Sequence, residues 1–96
     1  MNKSPIDEVI AKVAAEYHTS PNALIGISRI KELVLPRHIA IYLIYKYLDL
    51  SLPKLATIFN RDHTTILYAY RKIERKMAKN PVVAHTINLL WKKINE

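Results

Sequence analysis

Arg61, Asp62, His63, Thr64 and Thr65 stand consecutively in the chain. Together they present a guanidinium, a carboxylate, an imidazole and two hydroxyls. Nothing here groups a nucleophile with a base and an orienting residue, so the set does not point to bond breaking. It offers hydrogen-bond donors and acceptors on mostly short side chains, concentrated at one place. The segment that follows is basic: from residue 61 to residue 79, six Lys and Arg stand against two Asp and Glu. Short polar groups suit the edges of bases and cations suit phosphates, so a nucleic-acid duplex is the chemical complement of this segment.

These residues need an element to hold them, and helix punctuation supplies one. Ser51 is a predicted N-cap, with Pro53 in the first turn of a short helix that ends at Phe59 and turns Leu55, Ile58 and Phe59 inward. Asn60 and Arg61 form a tight turn, and Asp62 starts a long helix to about Lys79. At ~100° per residue, Ile66, Tyr70, Ile73 and Met77 share its inner side, while Thr64, Thr65, Tyr68, Arg71, Lys72 and Arg75 share the outer one. Short helix, tight turn and long helix over about residues 51–79 make a helix-turn-helix.

The remaining chain repeats the same signals. Ser4-Pro5 opens a helix carrying Ile6, Val9, Ile10, Val13, Ala14 and Tyr17. Ser20-Pro21 opens a short helix ending near Gly26, and residues 26–35 lack a clear period and are expected to be a connecting loop. Pro36 opens a long helix to about Leu48, with Ile39, Leu43 and Tyr47 on one stripe. Asn80-Pro81 opens a last helix carrying Val83, Ile87, Leu90, Trp91 and Ile94. Period-2 alternation never persists, so the expected fold is all-α, a single compact domain of about five to six helices.

Composition narrows the functions. The chain has 96 residues, the size of one domain, with a net charge of +7 that favours polyanionic partners. There is no cysteine, which removes disulfides and thiolate metal sites. A single glycine, Gly26, excludes the glycine-rich loops that cradle ATP or dinucleotides. No two histidines lie within one helical turn, so no metal pair is expected. No apolar run is long enough to span a bilayer. The expectations are a cytoplasmic, non-enzymatic protein with no cofactor, no metal, no small-molecule substrate and no membrane partner.

Within the outer arc, the threonine methyls can meet thymine methyls, Asp62 can accept from a cytosine amino group, and His63 can bond N7 or O6 from the side of the arc. Arg71, Lys72 and Arg75 lie further along, where phosphates are the nearer targets. Blander roles exist for each: Asp62 as a helix cap, Thr64 and Thr65 as first-turn residues, the basic face as a solvated one. His18, His38 and His85 are expected in packing or surface roles, and Tyr42, Tyr45, Tyr47, Tyr68 and Tyr70 as core or rim aromatics.

The run from Leu52-Pro53-Lys54-Leu55-Ala56 through Phe59-Asn60-Arg61-Asp62-His63-Thr64-Thr65 to Tyr70-Arg71-Lys72-Ile73 resembles the C-terminal DNA-binding domain of the DnaA family of bacterial replication initiators. Pro36-Arg37-His38-Ile39-Ala40-Ile41-Tyr42-Leu43 is similar to the start of that family's long middle helix, and the resemblance covers nearly the whole chain. It implies that Arg61, Asp62, His63, Thr64 and Thr65 read the major groove of a DnaA box, a nonamer close to TTATNCACA. It implies that Arg29 enters the adjacent minor groove, where A·T-rich sequence strengthens the negative potential. It places Arg37, His38, Leu52 and Pro53 at backbone phosphates, and Tyr68 and Lys72 are assigned there with them. Three departures stand out. Asn60 alone occupies the turn where the family usually has two glycines, Leu35 precedes Pro36 where an arginine is common, and the ATPase and oligomerisation domains are absent.

The expected function is sequence-specific binding of double-stranded DNA at a DnaA-box-like site, in replication initiation or its regulation, by a protein monomeric on its own and encoded by a bacterium or phage. Met1 followed by a well-capped helix favours a small protein that uses this domain alone, acting as a repressor, a competitor of the initiator or a replication accessory. The alternative is a helix-turn-helix transcription regulator that reads an unrelated operator. Binding to an anionic membrane through the first helix is disfavoured, because Asp7, Glu8 and Glu16 make its polar face acidic.

Overall fold

The computed structural model describes residues 4–27 and 30–96. Among them are six α-helices, α1 (Pro5–Glu16), α2 (Pro21–Ile25), α3 (Val34–Tyr47), α4 (Leu52–Phe59), α5 (His63–Lys79) and α6 (Pro81–Ile94), with a 3-10 turn at Lys31–Leu33 and no strand. The all-α expectation holds. Residues 31–35, expected to be loop, are instead the 3-10 turn and the first two residues of α3. Proline lacks an N–H and tolerates the first helical turn, so Pro36 sits inside the helix start without opening it.

Ser-Pro and Asn-Pro pairs start three of the helices, α1, α2 and α6, and Ser51-Leu52-Pro53 starts α4. Ser4 Oγ accepts from the Asp7 amide at 3.1 Å, Ser20 Oγ from Ala23 at 3.1 Å, and Ser51 Oγ from Lys54 at 3.3 Å. Asn80 Oδ1 accepts from Val82 at 3.0 Å and Val83 at 3.4 Å. Each cap satisfies amides that have no partner within the helix.

α3 is the hub. Ile39, Ala40, Ile41, Tyr42, Leu43 and Ile44 are all buried in sequence, so this helix is surrounded rather than amphipathic. That explains the lack of a single sharp stripe in its sequence. α5 packs along it through Ile66, Ala69 and Ile73, and α4 adds Leu55, Ala56 and Phe59, the last fully buried. α1 closes another side with Val9, Ile10, Val13 and Ala14. α6 contributes Ile87 and Leu90, and the Trp91 ring stacks on Tyr47 at 4.3 Å between centroids. Burying each such side chain is worth about 1.5–3 kcal/mol, so the set is what holds α4 and α5 at a fixed angle.

Candidate nucleic-acid interface

The turn between α4 and α5 is built by one backbone conformation. Asn60 has φ 53° and ψ 45°, the left-handed region. Asparagine tolerates that region better than most residues because its short side chain can bond locally. The Asn60 amide donates to the Thr57 carbonyl at 3.4 Å and the Arg61 amide to the Ala56 carbonyl at 3.0 Å. These two bonds are the Schellman arrangement that satisfies a helix's last carbonyls. His18 ends α1 the same way, with φ 57° and the Thr19 amide donating to Ala14 at 2.9 Å. A backbone role for His18 was invisible in its side-chain chemistry.

Past the turn, Asp62, His63, Thr64 and Thr65 are all exposed at the N-terminal end of α5. Asp62 occupies the cap position, but its carboxylate caps no backbone amide. Its Oδ2 accepts instead from Thr64 Oγ1 at 3.2 Å. The expectation that Asp62 serves as a side-chain cap is therefore corrected: the carboxylate is held to the exposed face and points among the candidate reading residues. Arg61 differs from the other four. It is half-buried, its Nη1 donates to the Phe59 carbonyl at 2.5 Å, and burial pulls its pKa below the ordinary arginine value. Pro53, Thr57, Asn60, Arg61, Asp62 and His63 line an open recess between α4 and the start of α5.

Further along α5 the outer arc is as the spacing predicts. Tyr68, Arg71 and Arg75 are exposed and line a shallow groove with Thr64 and Leu67. Lys72 is half-buried and lays its Nζ 5.6 Å from the centre of the Tyr68 ring, a cation–π arrangement that holds the ammonium against the helix.

His38 faces this arc from α3. It is half-buried, with its ring edge-on to Tyr68 at 6.3 Å between centroids. A cleft beside it is lined by Lys31, Val34, Leu35, Lys72, Ile73 and Lys76. Burial first, and then the charges of Lys72, Arg37, Lys76 and Arg61, hold the imidazole pKa down at about 4. His38 is therefore neutral at physiological pH, and the cationic character of the cleft comes from lysines.

Arg37 lies apart from all of these. It is only 5 % exposed; Nε donates to the Leu24 carbonyl at 2.6 Å and Nη2 to the Ala23 carbonyl at 3.1 Å. The phosphate role expected for Arg37 does not fit this placement, because its donors are turned inward onto backbone. Burial and then the nearby charge of Arg61 lower its pKa. Leu52 and Pro53 form the start of α4, half-buried and exposed respectively, beside the capping Ser51. Arg29, expected in a minor groove, lies outside the described residues.

The structure thus brings Thr64, Thr65, Tyr68 and Lys72 to one side of α5, with Asp62 and His63 exposed at its N-terminal end and His38 at the edge of the arc. Sequence reasoning missed Leu67, which lies three residues after Thr64 and four before Arg71 on the same face. It also missed Lys76, four residues beyond Lys72, and Lys31, whose place beside His38 follows only from the packing of α3 against α5.

Comparison with known proteins identifies the family and the fold. The family described as the bacterial DnaA protein helix-turn-helix matches residues 6–73. The chain is 40 % identical over 92 residues to the chromosomal replication initiator protein DnaA of Deinococcus radiodurans, covering 96 % of this chain and 20 % of that protein. It is 42 % identical over 89 residues to DnaA of Lactococcus lactis subsp. cremoris, covering 92 % and 20 %. Against DnaA of Thermus thermophilus the figures are 46 % over 68 residues, 70 % and 16 %. The crystal structure of a DNA replication initiation factor superposes with a TM-score of 0.82 at 28 % identity, covering 94 % of this chain and 28 % of that one. The chain therefore spans about a fifth of the length of these Deinococcus radiodurans and Lactococcus lactis DnaA proteins. The six helices of the described residues and the sequence carry the same assignment: the chain belongs to the family of the bacterial DnaA helix-turn-helix.

Proposed function

We propose that this protein binds double-stranded DNA sequence-specifically, at a site resembling a DnaA box, in the initiation of replication or its control. The observation that carries the reading is the exposure of Asp62, His63, Thr64 and Thr65 together at the start of α5, flanked by Arg71 and Arg75 on the same helix. An α-helix fits the major groove of B-DNA, and polar side chains near its N-terminus reach base edges there. Lys72, Tyr68, His38 and the start of α4 at Leu52 and Pro53 then lie where sugar-phosphate strands flank the groove. Arg61 takes part through the donors that its bond to Phe59 leaves over, and Arg29 supplies a minor-groove contact. The chain acts as one binding unit and as a monomer. It needs no cofactor and catalyses no reaction.

Membership of the DnaA helix-turn-helix family supports the choice of site, as do relatives named chromosomal replication initiator. No helix among the described residues is long and apolar enough to cross a membrane. The test is a titration at moderate salt with duplexes carrying the box or a scrambled version of it. Preference for the box is expected, and equal affinity for the two sinks the proposal. Selection from random duplexes then distinguishes a box-like site from the unrelated operator of a transcription regulator.

A further inference from the structure

The carbonyl ends of α2 and α4 meet beside the turn that precedes α5. A helix leaves its last carbonyls without partners in its own backbone, and two such ends side by side need donors from elsewhere. Side chains provide them. At the end of α2, Ala23 and Leu24 carbonyls accept from Arg37, and the Ile25 carbonyl accepts from Asn60 Nδ2 at 3.3 Å. At the end of α4, the Phe59 carbonyl accepts from Arg61. Three consecutive carbonyls of α2 are thus held from two directions, by the interior of α3 and by the turn residue itself.

Asn60 does two separable things here. Its backbone, at φ 53°, ends α4; glycine would do that at least as well, because it has no Cβ to strain. Its side-chain amide, in contrast, reaches a carbonyl 35 residues earlier in the chain, and glycine has nothing to make that bond. We infer that Asn60 is a positioning residue: its side chain ties the start of α5 to the end of α2 and so sets the orientation in which Asp62–Thr65 meet a duplex. The DNA-binding consequence rests on the function proposed above, while the tie itself does not.

The experiment compares Asn60→Gly and Asn60→Asp with the parent protein, and each variant has a distinct meaning. Glycine keeps the left-handed backbone and removes the donor. Aspartate keeps the side-chain size and places an acceptor against the Ile25 carbonyl. In amide NMR spectra of the free protein, Asn60→Gly is expected to shift the Gly26 amide, whose peptide group contains the Ile25 carbonyl, as well as the amides around residue 60. Shifts confined to residues near 60 would overturn the tie. In DNA titrations, Asn60→Gly is expected to lower the preference for box over scrambled duplex by roughly fivefold, the equivalent of one net hydrogen bond. Scrambled-duplex affinity should stay at the parent value. Asn60→Asp should lower the preference at least as much. An unchanged preference in both variants overturns the positioning role. If the parent protein itself shows no preference, the proposed function has failed, and the Gly26 shift still decides the tie.

Discussion

Arg37 Nε donates to the carbonyl oxygen of Leu24 at 2.6 Å, joining the interior of α3 to the end of α2. With the second bond to Ala23, the guanidinium fork satisfies two helix-end carbonyls at once, a geometry that a lysine ammonium cannot reproduce. Arg37→Met and Arg37→Lys are both expected to cost about 2–4 kcal/mol in denaturant unfolding, since each leaves buried carbonyls short of donors. The salt dependence of DNA binding should keep its slope. A slope reduced by about one with stability intact would instead make Arg37 a phosphate contact.

Ser51 and Asp62 occupy equivalent cap positions on successive helices and behave differently. Ser51 Oγ accepts from the Lys54 amide, whereas the Asp62 carboxylate accepts from Thr64 Oγ1. Ser51→Ala is expected to destabilise the fold by about 1 kcal/mol, the usual worth of a cap. Asp62→Ala should cost only a few tenths, from the lost charge at the N-terminus of α5. Thermal unfolding of the two variants side by side decides this, and equal losses would return Asp62 to a capping role.

Base-reading and phosphate-contacting residues separate in titrations. Thr64→Ala or His63→Ala should reduce discrimination between box and scrambled duplexes by roughly 1–3 kcal/mol. Lys72→Ala should weaken binding to both alike and flatten the salt slope. A Lys72→Ala variant that lost only box affinity would contradict this division.

His38 makes stability depend on pH. Its pKa is lowered to about 4 in the folded protein from an ordinary 6.5, so between those values the unfolded chain holds more protons than the folded one. Stability is then complete above pH 6.5, falls as the pH drops towards 4, and loses nothing further from this residue below that. Allowing for partial exposure and solvent screening, the loss is on the order of 1 kcal/mol. His38→Gln, as in a non-titrating amide, should flatten the pH dependence of the unfolding midpoint across that window. An unchanged profile would mean that folding leaves the His38 pKa at its ordinary value.

The helices themselves were legible because their ends carry local chemistry. Ser4-Pro5, Ser20-Pro21, Ser51 before Pro53, and Asn80-Pro81 each place a side-chain acceptor just before a residue that starts a helix well. The outer face of α5 was legible for a similar reason, since helical periodicity assigns Thr64, Tyr68, Arg71 and Arg75 to one arc without reference to anything outside the helix. The 3-10 turn at Lys31–Leu33 was not, because it is a single turn and the middle of α3 beyond it, Ile39–Ile44, is buried without a polar stripe.

The division between sequence and tertiary structure runs through individual side chains. Local order along the chain was enough to determine that Asp62-His63-Thr64-Thr65 would open a helix after a tight turn, and that Asn60 suits the left-handed conformation which makes that turn. Only the tertiary structure decided which donors those residues keep for a partner. Arg37 was drawn onto the carbonyls of Ala23 and Leu24, Arg61 onto that of Phe59, and Asn60 onto that of Ile25. The physical reason is that helix-end carbonyls must find donors, and which donors lie within reach depends on how α2, α3 and α4 pack, a property of separations in space that periodicity along the chain does not contain.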